Sequence, residues 1–352
     1  MSEEFLEIAR KHWAKYPLME PRDFAKLAYQ SEFGPAHMIQ SPDKVLAALL
    51  AERKEAGAEV MSPEPIGNGL CRLPITQALS TLWELPLVGR MFTRTMALAE
   101  GTEAGLLEKL EQLSSLPVPG MREYLEFWRR KGCPPVRHSE TFRNAYAPHY
   151  RVLRQEFAQF LPALVSLEKV AREARQESTV LIAIDGRCGS GKTGFAALAS
   201  GVLVCSSDVV HMDDFYLPPD RRAADWMEIP TGNMDLERFR KEVLCFPGRD
   251  GGTAYRPYDC QAGRLKEPVK LWEPLTIVEG TYSQHPSLAK YYDYKIFLTC
   301  DREEQTRRLR AREGDYYPTF DRVWRTLEER YFASCGTEGA ADLAVDTTGF
   351  FD

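Results

Sequence analysis

The chain predicts a mainly α-helical domain over 1–165 followed by an α/β domain with a parallel sheet over 166–352. Three observations carry this expectation. Before about Leu161, apolar residues recur at three- and four-residue spacing, as in Phe5, Leu6, Ala9 and Trp13, which is the period of an amphipathic helix. After it, short β-rich runs alternate with amphipathic stretches, the pattern of parallel strands joined by crossover helices. Between the first such run and the first such stretch lies a glycine-rich turn, Gly186-Arg-Cys-Gly-Ser-Gly-Lys-Thr193.

In the first half, helix starts are marked by Pro21 and by Ser41-Pro42-Asp43, because proline in a first turn gives up only an N–H that has no partner there. Strands look scarce in this half. The segment Leu167–Glu177 reads as a charged connecting helix. Beyond it, strands are expected at Thr179–Asp185, Val209–Met212, Leu275–Val278, Lys295–Thr299 and Ala341–Asp346. Helices are expected at Lys192–Ser200, Leu236–Cys245, Arg302–Glu313 and Phe320–Phe332. No internal repeat or low-complexity tract interrupts the chain.

Composition narrows the function classes. With 352 residues, 44% hydrophobic and 27% charged, the chain is long enough for two globular domains. A formal charge of -6 provides no basic footprint for nucleic acid or an anionic membrane, so the expected partner is a small molecule. The eight cysteines form no CxxC pair and no charged-then-apolar leader opens the chain, which argues against a disulfide framework and secretion and for a cytoplasmic protein. No apolar run approaches the roughly 18 residues of a membrane span.

The glycine-rich turn satisfies G-x-x-x-x-G-K-[ST] and stands between the apolar run VLIAID and a helical stretch, the context that gives the motif its meaning. Successive N–H groups from Gly186, Arg187, Cys188, Gly189, Ser190 and Gly191 can converge on phosphate oxygens at a helix N-terminus. Lys192 would lie on the β- and γ-phosphates of ATP and Thr193 would offer its hydroxyl to Mg²⁺. A GTPase would carry an Asn-Lys-x-Asp guanine reader, and none is present; the one Asp-x-x-Gly match, Asp346-Thr-Thr-Gly349, falls near the end of the sequence. A phosphoryl transferase needs instead a group that takes the proton of an acceptor hydroxyl. The pair Asp213-Asp214, in VVHMDDFYLP, reaches the rim where ligands of such sheets bind. Neighbouring residues leaving a strand point to opposite sides, so one carboxylate is expected to face the phosphates and the other to serve the turn.

From about Thr179 onward the sequence resembles the uridine kinase, phosphoribulokinase and pantothenate kinase group of P-loop kinases. The resemblance rests on DGRCGSGKT, MDDFY, GNMDLERF (232–239), YRPYDCQAGR (255–264), TIVEGTY (276–282) and REEQTRRLRARE (302–313), in the family's order over about half the chain. It implies an α/β P-loop kinase domain in which Asp213 is the catalytic base and helps organise Mg²⁺, with Asp214 positional. Glu279, closing an apolar strand before Gly280, is the further metal candidate, since Mg²⁺ favours a few oxygens plus retained waters. Of the arginines at 307, 308, 310 and 312, Arg308 and Arg312 share a helix face and resemble the lid cations that neutralise a transferring phosphoryl group. On the acceptor side, Tyr258-Asp-Cys-Gln-Ala-Gly-Arg264 lacks the Phe and the His that hold the nucleoside in uridine kinases, which leaves uracil without its usual readers. Tyr216, Tyr258, Asp259 and Arg264 are candidates for holding a sugar or polyol, and Arg221, Arg222 and Arg264 the few cations that could serve a phosphorylated acceptor.

The first half matches no family recognised from its motifs. Glu32, His37, Arg72, His138, Arg143, Tyr146 and Tyr150 are polar groups in aromatic surroundings that could line a second pocket. His37, His138 and His149 show no i, i+4 zinc pairing and read as structural. This half could bind the acceptor, regulate the kinase, mediate homo-oligomerisation, or be a second enzyme. The whole reads as an ATP- and Mg²⁺-dependent phosphotransferase acting on a small-molecule hydroxyl, the alternative being a switch in which ATP on the P-loop domain controls the helical domain.

Overall fold

The computed structural model describes residues 4–35, 41–173, 179–245 and 253–350. The chain divides into two compact units, Met1–Leu161 and Pro162–Phe350.

The first unit contains helices α1 (Glu4–Lys15), α2 (Pro21–Phe33), α3 (Pro42–Glu55), α4 (Glu84–Ala97), α5 (Glu103–Leu113), α6 (Met121–Arg130), α7 (Glu140–Tyr146) and α8 (Gln155–Gln159). Pro21 and Pro42 open α2 and α3, as the sequence indicates. Phe5 and Ala9 of α1, Phe24 and Leu27 of α2, Leu106 and Leu110 of α5, Trp128 of α6 and Phe142 of α7 form one buried cluster. That cluster also holds Ile66 and Val152, which belong to a sheet that the sequence reading does not contain. Strands β1 (Glu64–Gly67), β2 (Leu70–Pro74) and β3 (Tyr150–Arg154) are antiparallel in the order β1-β2-β3. Strands are scarce in this unit, as expected, but the three among the described residues form a sheet whose place the sequence analysis does not give. A signal was present: Asn68 and Gly69, with φ of 52° and 64°, make the two-residue turn between β1 and β2 for which Asn-Gly is the favoured dipeptide.

The second unit opens with α9 (Leu161–Glu173), which begins upstream of the expected connecting helix; positions 174–177 of that expectation lie outside the described residues. Its centre is a parallel sheet of β4 (Val180–Gly186), β5 (Ser207–His211), β10 (Leu275–Glu279), β11 (Tyr294–Thr299) and β12 (Leu343–Asp346), in the order β12-β11-β4-β10-β5. These are the five expected strands with their ends shifted by at most two residues. β10 is buried along its whole length because it is an inner strand covered on both faces, which is why its sequence is apolar apart from Thr276 until Glu279. α10 (Lys192–Val202) connects β4 to β5.

Between β5 and β10 the chain makes a 3₁₀ turn, Met212–Phe215, then α11 (Leu236–Phe239), which continues as a π-helical turn, Arg240–Leu244. Two small antiparallel pairs follow, β6 (Thr253–Tyr255) with β9 (Val269–Leu271) and β7 (Tyr258–Asp259) with β8 (Arg264–Leu265). After β10 come α12 (Pro286–Ala289), α13 (Arg302–Glu313), α14 (Tyr317–Phe320), a π-helical turn at Asp321–Arg325, α15 (Thr326–Cys335) and α16 (Thr337–Ala340). The helices expected at Leu236–Cys245 and Phe320–Phe332 are therefore composites of α and π turns. None of the helices in the described residues is long and apolar enough to cross a membrane.

Candidate active site

The glycine-rich loop joins β4 to α10, and its glycines are required by their backbone. Gly186 has φ of 139°, and a Cβ there would lie 1.9 Å from the carbonyl oxygen of Leu298 in neighbouring β11. Gly189 and Gly191, at 77° and 93°, turn the chain into the start of α10. Loop N–H groups are thereby gathered at a helix N-terminus, an arrangement that favours phosphate. Ser190 is fully buried and its hydroxyl has no partner among the described residues. Lys192 is 9% exposed and its ammonium donates to the carbonyls of Gly186 at 2.7 Å and Arg187 at 2.9 Å.

Two buried carboxylates missed in the sequence reading brace this loop. Asp185 accepts from Gly186 N at 2.7 Å, Gln284 N at 2.9 Å and the Tyr331 hydroxyl at 2.7 Å; burial pushes its pKa up to about 6. Glu328 of α15 accepts from Cys188 N at 2.6 Å and Gln305 Nε2 at 3.2 Å, and burial raises its pKa as well. Asp185 stands directly before the motif, whereas nothing in the spacing of Glu328 connects it to a loop 140 residues earlier.

On the same rim, parallel register brings the last residues of β10 and β5, Glu279 and His211, side by side. The Thr193 hydroxyl lies 3.1 Å from both Glu279 oxygens, and His211 Nδ1 lies 2.5 Å from Oε1. That last bond is the main cause of a raised His211 pKa. His211 also escaped the sequence reading, although it immediately precedes MDD.

Asp213 and Asp214 leave β5 on the 3₁₀ turn and not on a strand end, which corrects the basis of the expectation, and their side chains have different partners. Asp214 accepts from the Tyr255 hydroxyl at 2.9 Å, and its carbonyl accepts from Arg238 at 2.8 Å. Asp213 accepts from the Tyr216 hydroxyl at 3.0 Å. Its side chain reaches solvent, but the surrounding protein strips enough hydration to raise its pKa; Tyr216 opposes this, the Glu279 charge adds to it, and Lys192 and His211 lower it. Asp213, Glu279, Lys192 and His211 thus share one electrostatic neighbourhood. Thr193 and Glu279 lie within hydrogen-bond distance and the Glu279 charge is felt at Asp213, so the oxygen groups at this rim are of the kind that suits a hard divalent cation such as Mg²⁺.

The two arginines of α13 part company. Arg308 donates to Gly189 O at 3.2 Å, Thr347 Oγ1 at 3.0 Å, Thr347 O at 2.7 Å and Phe350 O at 3.0 Å, with Glu304 at 2.5 Å. It fastens the back of the loop to the segment after β12, a geometry that gives the expected phosphate-directed role no support. Arg312 is half exposed, pairs with Glu313 at 2.6 Å, and its charge is felt at Cys188 of the loop.

Of the four acceptor candidates, Tyr216 stands beside Asp213. Its ring centroid lies 5.9 Å from Trp324, which is 6.4 Å from Trp226, and Arg222 lies 5.0 Å over Trp226. Neither tryptophan has a sequence signature for this position. Tyr258 is buried in its hairpin, while Asp259 accepts from Gln261 N and Ala262 N, both at 2.9 Å, and so closes the hairpin turn. Arg264 is exposed. Burial raises the pKa of Cys260 in this hairpin, with Arg222 lowering it and Asp213 raising it further.

In the first unit, Glu32 accepts from Lys109, from Thr102 N at 2.8 Å and from Asn68 at 3.0 Å. Tyr146 accepts from Leu18 N at 3.1 Å, and Arg143 lies 3.9 Å from Glu140. His149 lies 3.7 Å from Glu52, and His37 is outside the described residues. Arg72, His138 and Tyr150 come together in a second cluster.

The fold and loop define an α/β domain of the P-loop type. No family model and no curated protein matches the chain. Among solved structures it is similar to a possible uridine kinase from Bacillus stearothermophilus, at 19% identity and a TM-score of 0.41 over 53% of this chain and 99% of that one. It is also similar to a candidate fructose transport system kinase from Silicibacter sp. TM1040, at 20% identity and 0.43 over 52% and 98%. A third is D-glycerate 3-kinase from Cryptococcus neoformans, at 15% and 0.36 over 52% and 88%.

Proposed function

We propose that the second unit is an ATP-dependent kinase that phosphorylates a hydroxyl of a small metabolite. The observation that carries this reading is the convergence of Lys192, Thr193, Glu279 and Asp213 at one sheet rim, with Tyr216 hydrogen-bonded to Asp213. The loop N–H groups of Gly186–Thr193 hold the nucleotide phosphates, and Lys192 exchanges its two carbonyl contacts for phosphate oxygens. Thr193, Glu279 and Asp213 would hold Mg²⁺, whose charge offsets that of the phosphates. Asp213 accepts the acceptor's proton at a carboxylate oxygen, and its raised pKa makes it a better base than an ordinary aspartate. His211 steadies Glu279, and Arg312 supplies positive charge from α13. Tyr216 and Trp324 offer an aromatic wall for a sugar or polyol, whose C–H faces pack on rings while its hydroxyls reach Asp213.

The test is ADP release with Mg·ATP over a panel of sugars, polyols, nucleosides and small hydroxy acids, with Lys192→Ala as the blank. Turnover that depends on both one acceptor class and Lys192 is expected; slow hydrolysis indifferent to every acceptor would overturn the reading in favour of an ATP-operated switch.

A further inference from the structure

The first unit contains a polar cluster, remote in sequence from the phosphate loop, that its own folding does not explain. Asp23 of α2 accepts from Glu20 N at 3.0 Å, Ser139 N at 3.0 Å and Ser139 Oγ at 2.7 Å, and it lies 2.8 Å from His138 Nδ1. So many donors keep Asp23 ionised, which fixes the proton on Nδ1 and leaves Nε2 as an acceptor. The Tyr150 hydroxyl, 2.7 Å from Nε2, donates its one proton there. These bonds fasten β3 and the loop before α7 to α2, a structural task.

The charge balance around them is what structure alone leaves unaccounted for. Arg72 of β2 is 2% exposed, yet its guanidinium is met only by a neutral amide, Gln30 Oε1 at 2.8 and 3.1 Å, and by the face of Tyr150 at 4.7 Å. Lys26 of α2 donates to a neutral carbonyl, Val136 O, at 3.3 Å. Among the described residues neither cation has a carboxylate at ion-pair distance, whereas Arg151 beside them is paired with Glu52. Burying a cation without a paired anion costs several kcal/mol, and here one ionised carboxylate, Asp23, stands against two cations, the buried Arg72 and the half-buried Lys26. Lys26, Gln30, His138, Tyr150, Arg151 and Phe92 line one cavity of about 190 Å³, room for about six water volumes of ~30 Å³. That is smaller than a drug-sized pocket and fits a compact metabolite fragment.

We propose that this cavity is a binding site for a small oxyanion, a carboxylate or phosphate group, held by Lys26 with Arg72 supplying charge from behind, while Tyr150 and His138, whose protons are already donated within the cluster, only line the cavity. The Lys26 amine supports it: burial, helped by the charges of Arg72, Arg137 and Arg22 and opposed by Asp23, lowers its pKa to about 8, the mark of a cation waiting for a counter-charge. The proposal is independent of the phosphoryl-transfer reading, since it uses none of the residues at the sheet rim.

The experiment is calorimetric titration of the full-length protein with inorganic phosphate and, separately, with malonate, at constant ionic strength and with chloride as control. The variants are Lys26→Met, which keeps the aliphatic stem and the Asp23–His138–Tyr150 bonds, and Lys192→Ala, which removes the cation of the phosphate loop. Saturable binding of at least one anion is expected, weakened about tenfold or more in Lys26→Met, the effect of losing one charged donor, and retained in Lys192→Ala. Phosphate alone would assign a phosphate ligand and malonate alone a carboxylate. Binding in Lys192→Ala that is not weakened by adding Lys26→Met, binding lost in Lys192→Ala, or no saturable binding of either anion would overturn the proposal. Should Lys26→Met fail to melt cooperatively, Lys26→Gln and the imidazole ¹⁵N shifts of His138 on adding each anion to the unmodified protein give the same decision: shifts that do not move overturn it.

Discussion

Replacing Arg308 by methionine separates two accounts of α13. If Arg308 is a brace, Arg308→Met removes four hydrogen bonds to Gly189, Thr347 and Phe350, together with the ion pair to Glu304. Hydrogen bonds from a charged donor contribute about 1.5–3 kcal/mol each, but the carbonyls near the surface regain water, so a net loss of about 2–4 kcal/mol is expected. For a unit of this size each kcal/mol lowers the melting temperature by about 2–4 °C, giving a fall of roughly 4–16 °C. Differential scanning calorimetry on the whole protein reads that shift in the transition of the second unit. ATP affinity should fall with it, because the Gly189 carbonyl loses its anchor. An unchanged melting transition accompanied by a kcat loss of about a hundredfold or more, the signature of a missing electrostatic contact to the transferring group, would refute the brace and restore Arg308 to the phosphates.

Three further outcomes are expected. Asp213→Asn should lower kcat by about 10²–10⁴ while leaving ATP affinity near its starting value; equal losses in both, measured by ADP release and nucleotide titration, would remove Asp213 from proton transfer. Gly186→Ala places a methyl group against the Leu298 carbonyl at a positive φ, so the second unit should lose about 3 kcal/mol or more in urea titrations, and a near-neutral result would mean that the β4–β11 contact yields easily. His12 and His138 have pKa values depressed to about 4, chiefly by burial. Between pH 6.5 and 4 the unfolded chain takes up protons that the folded one refuses. The first unit should therefore lose on the order of 3 kcal/mol per histidine as pH falls through that window, and His138→Gln should remove about half of the dependence.

The second unit was legible because its signals are local and physically forced. An inner parallel strand must be mostly apolar, and a loop that lets backbone approach phosphate must be glycine-rich, so β4, β10 and Gly186–Thr193 announce themselves. Glu328, Trp324 and His211 did not, since their roles depend on which distant residue each meets across the fold. His211 shows how narrow the gap is: parallel strand ends share a rim, so a His ending β5 and a Glu ending β10 were bound to meet once the strand order was known. The β1–β3 sheet was missed for a different reason. Its strands are short and set among helices, and β3 reaches β2 only after an interval of about 75 residues of mostly helical chain, although Asn68-Gly69 marked the first hairpin plainly.

Thr347, just past β12, donates to the Ser190 carbonyl at 3.0 Å across 157 positions of sequence. At about 5–20 residues per second of synthesis, the phosphate loop leaves the ribosome roughly 8–30 s before the residue that props it. During that interval the sheet lacks its outer strand and the loop its backing. A nascent chain of this protein therefore carries an unbraced loop until Thr347 has emerged, and termination shortly before β12 would yield a polypeptide that retains the entire motif without its support.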